Sequence, residues 1–145
     1  MIKRVLVVCI GNICRSPMAE GLLREALPEL NVFSAGLGAL VGKPADATAI
    51  ELATETGVDI SQHRAQQLTS VLASQADLIL VMDSEQKAEI QRRYPAASGK
   101  VFRLGEAGKF DIDDPYRKPR AAFEHSFQLI QQGVSAWVPR IRALA

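Results

Sequence analysis

Val5-Leu-Val-Val-Cys9-Ile-Gly-Asn-Ile-Cys14-Arg15-Ser16-Pro17 carries most of what this sequence says about its fold. Val5 to Ile10 is an unbroken aliphatic run, the pattern of a strand covered on both faces in a parallel sheet. A short loop follows, and then Ser16-Pro17, where a capping serine and a first-turn proline predict the start of a helix. Strand, tight loop and helix in that order open a doubly wound α/β fold. Ligands in such folds sit beyond the carboxyl ends of the strands, which is where this loop emerges.

The rest of the chain repeats the alternation. Leu22, Leu23, Ala26 and Leu27 give the first helix an apolar face, and Pro28 ends it. Asn31 to Ser34 predicts a second short strand, followed by Ala35-Gly-Leu-Gly38. Asp46 reads as an N-cap, with Ala49, Ile50, Leu52 and Ala53 facing inward and Gly57 at the stop. Leu68, Val71 and Leu72 mark a further short helix. Asp77 to Met82 predicts another buried strand, running into Asp83-Ser-Glu-Gln86 with the spacing of a capping box. Lys100 to Arg103 makes a fourth strand, and a polar loop through Asp114-Pro115 leads to a long C-terminal helix. Phe123, Phe127, Ile130, Val134, Trp137 and Ile141 form its packing seam, and Pro139 is expected to kink or end it early. With no linker or repeat, residues 1–145 read as a single domain. The expected architecture is a small doubly wound four-stranded parallel sheet with helices on both faces, a flavodoxin-like three-layer fold.

Composition narrows the function classes. A hydrophobic content of 48% and a formal charge of +1 describe a neutral, soluble globular protein. That balance argues against nucleic acid as a partner, because phosphate-backbone binders need a basic excess. The two cysteines both fall in the opening loop, which implies a reducing compartment and a chemical role rather than a disulfide scaffold. The apolar run after Met-Ile-Lys-Arg mimics a signal peptide, but Gly11-Asn12 ends it early and no cleavage site follows. No apolar run reaches transmembrane length, so no membrane insertion is expected. The expectation is a cytoplasmic monomer.

The opening loop also carries chemistry. Loop amides and a helix N-terminus form a ready anion site, and the same field favours a thiolate at Cys9. Arg15 can grip two oxygens of a phosphate in its planar fork. Nucleophile, anion cradle and charge clamp together read as phosphoryl transfer through cysteine. Gly11 lets the backbone approach the anion, and Asn12 tolerates a left-handed turn. Ser16 has two candidate jobs, capping the helix and donating to Cys9. Cys14 reads either as a packing cysteine or as the partner of Cys9 in a reversible, protective disulfide. No cysteine–histidine spacing fits a zinc site, so no metal is expected.

Residues 9 to 17 resemble the signature of the low-molecular-weight protein tyrosine phosphatases. Ser34-Ala-Gly36, Ile60-Ser-Gln-His63-Arg-Ala65 and Asp114-Pro115-Tyr116 fit the same family pattern, so the resemblance covers essentially the whole chain. It implies a phosphotyrosine-protein substrate, no cofactor, Cys9 as nucleophile and Arg15 as phosphate clamp. Cleaving a phosphotyrosine ester expels a phenoxide, so an acid is needed. Asp111, Asp113 and Asp114 lie close together, and residue type alone does not choose among them. The family pattern chooses Asp114, leaving Asp111 and Asp113 as solvated loop residues. By the same resemblance Tyr116 lines the pocket, Leu40 stands in the pocket wall where many relatives carry an aromatic, and Ile10, Gly11, Ile13 and Cys14 belong to the substrate loop. Asn12, Ser16, Ser34 and His63 support that loop, while His125 matches nothing catalytic.

Departures sharpen the expectation. Ile13 replaces the threonine of arginine phosphatases sharing the fold, and an apolar wall suits an aryl group. Arg117 stands where animal members place a second tyrosine. The runs Asp114-Pro-Tyr-Arg-Lys-Pro119 and Gly38-Ala-Leu-Val-Gly-Lys43 look like bacterial members paired with tyrosine autokinases of capsule and exopolysaccharide export. Arg117, Lys118 and Arg120 form a basic patch, either a solvated face or an attractor of acidic phosphopeptides. The rivals are a protein-arginine phosphatase, an arsenate reductase and a non-catalytic phosphopeptide-binding module. An arsenate reductase needs resolving cysteines downstream, and none follows Cys14.

Overall fold

The structure, a computed structural model, describes residues 1–145. Strand β1 (Arg4–Cys9) is apolar on both faces from Val5 onward and takes the centre of the sheet. It pairs in parallel with β2 (Asn31–Gly36) on one side and β3 (Leu78–Val81) on the other. Strand β4 (Val101–Arg103) completes the order β2-β1-β3-β4, all parallel. The chain winds outward from β1 in both directions, so the carboxyl end of β1 lies at the point where the winding reverses. The doubly wound, four-stranded expectation holds.

Period-two alternation divides the core. Val5, Val7 and Cys9, with Leu78 and Leu80, face α1 (Arg15–Ala26), α2 (Ala47–Glu55) and α5 (Arg120–Leu144). Leu6 and Val8, with Ile79 and Val81, face α3 (Ser70–Gln75) and α4 (Ser84–Arg93). A 3-10 turn over Pro95–Lys100 leads into β4. No helix is long and apolar enough to cross a membrane.

Several local expectations change. Helix α1 begins at Arg15 with Cys14 as N-cap and no side-chain cap, so Ser16 sits inside the first turn and does not cap it. Asp46 and Asp83 do cap, accepting from the backbone of Thr48 at 2.9 Å and Gln86 at 2.8 Å. The Gln86 side chain reaches back to the Met82 amide, one residue before the cap. Val71 is 60% exposed, and Ala73 is the buried residue of α3. Helix α5 continues through Pro139 to Leu144. Pro139 and Ser135, whose carbonyl loses its helical donor, both lie on the exposed side, where water can satisfy it. Trp137 and Ile141 stay buried on the other side and hold the last turns in place.

Gly133 sets how closely α5 approaches the loop after β4. A Cβ there would stand 2.7 Å from Leu104 Cγ and 2.8 Å from the Leu104 carbonyl oxygen. In a free helix Gly→Ala gains about 1 kcal/mol. Here Gly133→Ala is expected to destabilise by about 1–3 kcal/mol, because main chain must move. Urea denaturation measures it, and an unchanged or raised midpoint would show that the spacing yields.

Candidate active site

The loop between β1 and α1 is held by its carbonyl groups. Leu37, Gly38 and Leu40 donate their amides to the oxygens of Cys9, Ile10 and Gly11, each at 3.0 Å. His63 Nε2 donates to the Asn12 oxygen at 2.6 Å, and the Asp46 amide donates to that of Ile13 at 2.8 Å. In a trans peptide the N–H points opposite to the carbonyl. Tying five successive oxygens outward therefore turns the N–H groups of residues 10–14 to the other side, where none has a protein acceptor. Asn12 makes the turn possible at φ 59°. At Gly11 a Cβ would meet only side-chain atoms at 3.8–3.9 Å, and the left-handed turn of the loop falls on Asn12, not on Gly11. Gly36 is required for another reason, since a Cβ there would press into the Ile10 carbonyl oxygen.

Buried side chains complete the support. Asn12 is fully buried, and its Oδ1 accepts from the Gln66 amide at 2.9 Å. That fixes the amide's orientation, so Nδ2 donates to Ser16 Oγ at 2.8 Å and Ser34 Oγ at 3.0 Å. Ser34 passes its own proton to Glu20 Oε1. Ser16 Oγ, which accepts from Asn12, also lies in hydrogen-bond contact with Cys9 Sγ at 2.9 Å, and it is the donor there when the sulfur is a thiolate. Because the Asn12 carbonyl can only accept, the His63 proton sits on Nε2.

Arg15, only 3% exposed, reaches under the same loop. Its Nη1 donates to the Ile112 oxygen at 2.7 Å and lies 3.6 Å from Asp83 Oδ2. Nη2 lies 3.7 Å from Asp114 Oδ2, and Nε has no partner although it is buried. Cys9 and Cys14 are both free and buried. Burial pushes the Cys14 thiol well above its usual range, and the nearby Asp46 carboxylate adds to the effect. A cavity of about 210 Å³ opens over the loop, walled by Cys9, Ile10, Gly11, Ile13, Cys14, Arg15, Gly38, Leu40, Asp114 and Tyr116. The structure thus brings together the expected nucleophile, clamp and acid with the expected apolar wall. An anion entering this cavity meets unpaired N–H groups, a guanidinium and an uncapped helix N-terminus.

A family model for low molecular weight phosphotyrosine protein phosphatases matches residues 4–144. The chain belongs to this family. It is 66% identical over 144 residues to the probable low molecular weight protein-tyrosine-phosphatase EpsP of Ralstonia nicotianae, with 99% of each chain covered. The structure of Vibrio vulnificus Wzb in complex with benzylphosphonate matches with a TM-score of 0.94 at 47% identity, covering 97% of this chain and 99% of that one. The YwlE arginine phosphatase of Geobacillus stearothermophilus is more distant, at 32% identity and a TM-score of 0.90, covering 97% and 94%. By family this phosphatase is therefore of the protein-tyrosine class.

The sequence reading missed three residues that this phosphatase places at the site. Asp83 was legible only as a helix cap, yet its second oxygen faces Arg15. Glu20 lies one helical turn beyond Ser16, a spacing that puts it on the same face of α1. Gln66 carries no local signal, because its contact with Asn12 spans 54 positions. Asp111 is not a free solvated carboxylate, since it pairs with Arg103 at 3.1 Å. The expected basic patch is also reduced. Arg120 is bound by Glu51 and Glu55, both at 2.7 Å, and Arg117 stacks 5.3 Å from the Tyr116 ring centre. His125 is exposed on α5 and is not among the residues that line the cavity over the loop.

Asn12→Ala is expected to cost about 2–3 kcal/mol in stability, because the Gln66 amide and two buried hydroxyls lose their partner. The left-handed turn, strained for alanine, adds to it. Asn12→Gly removes the strain while keeping the loss of hydrogen bonds, and should fall between the two. Denaturant unfolding of the three proteins tests this, and equal midpoints would remove Asn12 from the loop's support.

Proposed function

We propose that this protein hydrolyses phosphotyrosine in a phosphoprotein through a cysteinyl-phosphate intermediate, as one catalytic unit over residues 1–145. The observation that carries the reading is Cys9 Sγ at the start of a loop whose amides are unpaired, with the buried Arg15 beside it. Negative charge at the sulfur and on the phosphate is stabilised by the same amides, helix dipole and guanidinium.

In the first step the Cys9 sulfur bonds to phosphorus as the bond from phosphorus to the tyrosine oxygen breaks. Arg15 and the loop N–H groups hold the equatorial oxygens. Asp114, half exposed at the cavity mouth, gives its proton to the departing phenolic oxygen. In the second step a water loses a proton to the Asp114 carboxylate and attacks phosphorus, and the sulfur–phosphorus bond breaks. The Ser16 hydroxyl, 2.9 Å from the sulfur, steadies the returning charge. Inorganic phosphate leaves. The chemistry calls on no metal or organic cofactor.

Ile10, Ile13, Leu40 and Tyr116 supply the wall for an aryl group. The benzylphosphonate held by the Vibrio relative, an aromatic phosphonate, supports that wall. Ile13 in place of threonine favours a tyrosine over an arginine substrate. Intact nucleophile, clamp and acid favour turnover over mere phosphopeptide binding. We assign a tyrosine autokinase of capsule or exopolysaccharide production as the natural substrate, on the resemblance around Asp114 and Gly38–Lys43 and the likeness to EpsP. The site of action is the cytoplasm, and the working form is a monomer.

Phosphate release from phosphotyrosine peptides tests the reading. Cys9→Ser should lower turnover by at least about 10⁴-fold while still binding phosphate analogues. Full residual activity would remove Cys9 from the mechanism. Asp114→Ala should slow unactivated aryl phosphates by about 10²- to 10⁴-fold and activated nitrophenyl esters far less. An equal loss on both would show that Asp114 is not the acid. Arg15→Lys should cost about 10²-fold or more, because an ammonium cannot make the two-pronged grip, and a near-normal rate would contradict that role.

A further inference from the structure

A second, larger cleft of about 700 Å³ adjoins the phosphate cavity, with Ile10, Arg15, Gly38 and Asp114 forming the wall between them. Its lining is strongly one-signed, with six carboxylates against two guanidinium groups. Four of the six are already engaged. Asp83 and Asp114 flank Arg15 at 3.6 and 3.7 Å, Glu89 pairs with Arg93, and Asp111 pairs with Arg103. Glu85 and Asp113 are exposed and have no basic partner. They leave net negative charge beside a pocket that takes a dianion.

A different kind of group in the cleft is also unpaired. Gln86 is 2% exposed and gives its oxygen to the Met82 amide, while its Nε2 has no acceptor. A buried amide donor left without a partner is costly, so an oxygen supplied from outside would be favoured there. The molecule's other buried unpaired side-chain atom, Arg15 Nε, stands in the wall of the same cleft. One donor is accounted for by phosphate. The other suits a main-chain carbonyl of a peptide that continues past the phosphotyrosine.

We infer that this cleft seats the stretch of substrate flanking the phosphotyrosine and selects a lysine or arginine there, with Glu85 and Asp113 meeting its charge. The inference rests on the phosphotyrosine reading of the adjoining site. A metal ion is the wrong occupant, because the carboxylates are spread along the walls and no group of three or more converges on one point. An acidic flank is disfavoured twice, by repulsion from the unpaired carboxylates and by the absence of a free cation, since the one arginine facing them besides Arg15 is held by Glu89. Of the basic residues Arg117, Lys118 and Arg120 none lines this cleft, and Arg120, at the start of α5, is neutralised by Glu51 and Glu55 of α2.

The test uses phosphotyrosine peptides identical except for one flanking position, occupied in turn by lysine, alanine or glutamate and walked along both sides. A small aryl phosphate, too short to reach the cleft, reports the chemical step separately. Lysine at a responsive position should raise kcat/KM over glutamate by about tenfold, with most of the ratio lost at high salt. Glu85→Gln with Asp113→Asn should bring that ratio towards one. Equal kcat/KM for all peptides, a preference for glutamate, or a lysine preference untouched by the double substitution would each overturn the inference. Affinities of the same peptides for Cys9→Ser separate this from the catalytic reading. Failure of every substrate to release phosphate, with lysine peptides still bound best, would sink the phosphatase mechanism and leave the cleft standing. Equal binding alongside normal turnover would do the reverse.

Discussion

Five carbonyl oxygens in a row are pulled outward from the loop that follows β1, and the chemistry of this phosphatase depends on that pull. A free loop of this length would satisfy its amides with water or with its own side chains. Here Leu37, Gly38 and Leu40, then Asp46 and His63, occupy the oxygens, and peptide planarity sends the N–H groups the other way. The site is thus prepared before any ligand arrives. The cost of leaving those donors unpaired is borne by the packed segments around them.

Those segments come from every quarter of the fold. The 37–46 region continues from β2, His63 and Gln66 lie between α2 and α3, and the Asp114 loop is fastened by Ile112 both to Arg15 and to the end of β3. Asn12 is where they meet. Its three side-chain hydrogen bonds orient the Asn12 amide so that Ser16 and Ser34 both accept from it, which holds the Ser16 hydroxyl against Cys9 and the Ser34 hydroxyl against Glu20. A directed network of this kind has a single low-energy arrangement, which is what a reaction centre needs.

Charge is sorted by depth. The guanidinium of Arg15 is buried with the amides, whereas the Asp114 carboxylate stands at the mouth and five further carboxylates line the neighbouring cleft. On the proposed reading, buried charge acts through few screening waters and grips the phosphate, while the outer carboxylates act through water and shape which peptide approaches. Affinity for the reacting group and choice among its surroundings are thereby assigned to different layers of one opening.

The strand-loop-helix start and the parallel sheet were legible in the chain, because aliphatic runs, caps and a compact motif are local properties. The candidates Cys9 and Arg15 came from that motif, Asp114 only from the family resemblance, and the fold brings all three to one cavity. Where local rules failed, the tertiary structure had supplied something stronger. Ser16 serves sulfur instead of a helix end because Cys9 lies within reach, and α5 continues past Pro139 because Trp137 and Ile141 on its buried side hold its last turns against the core. Asp83, Glu20 and Gln66 escaped because a contact between distant positions leaves no trace in spacing. The sequence by itself determined which elements form and which residue types can do the chemistry. Only the fold decided which way the loop's peptide groups face, since that direction is set by partners scattered from Leu37 to His63.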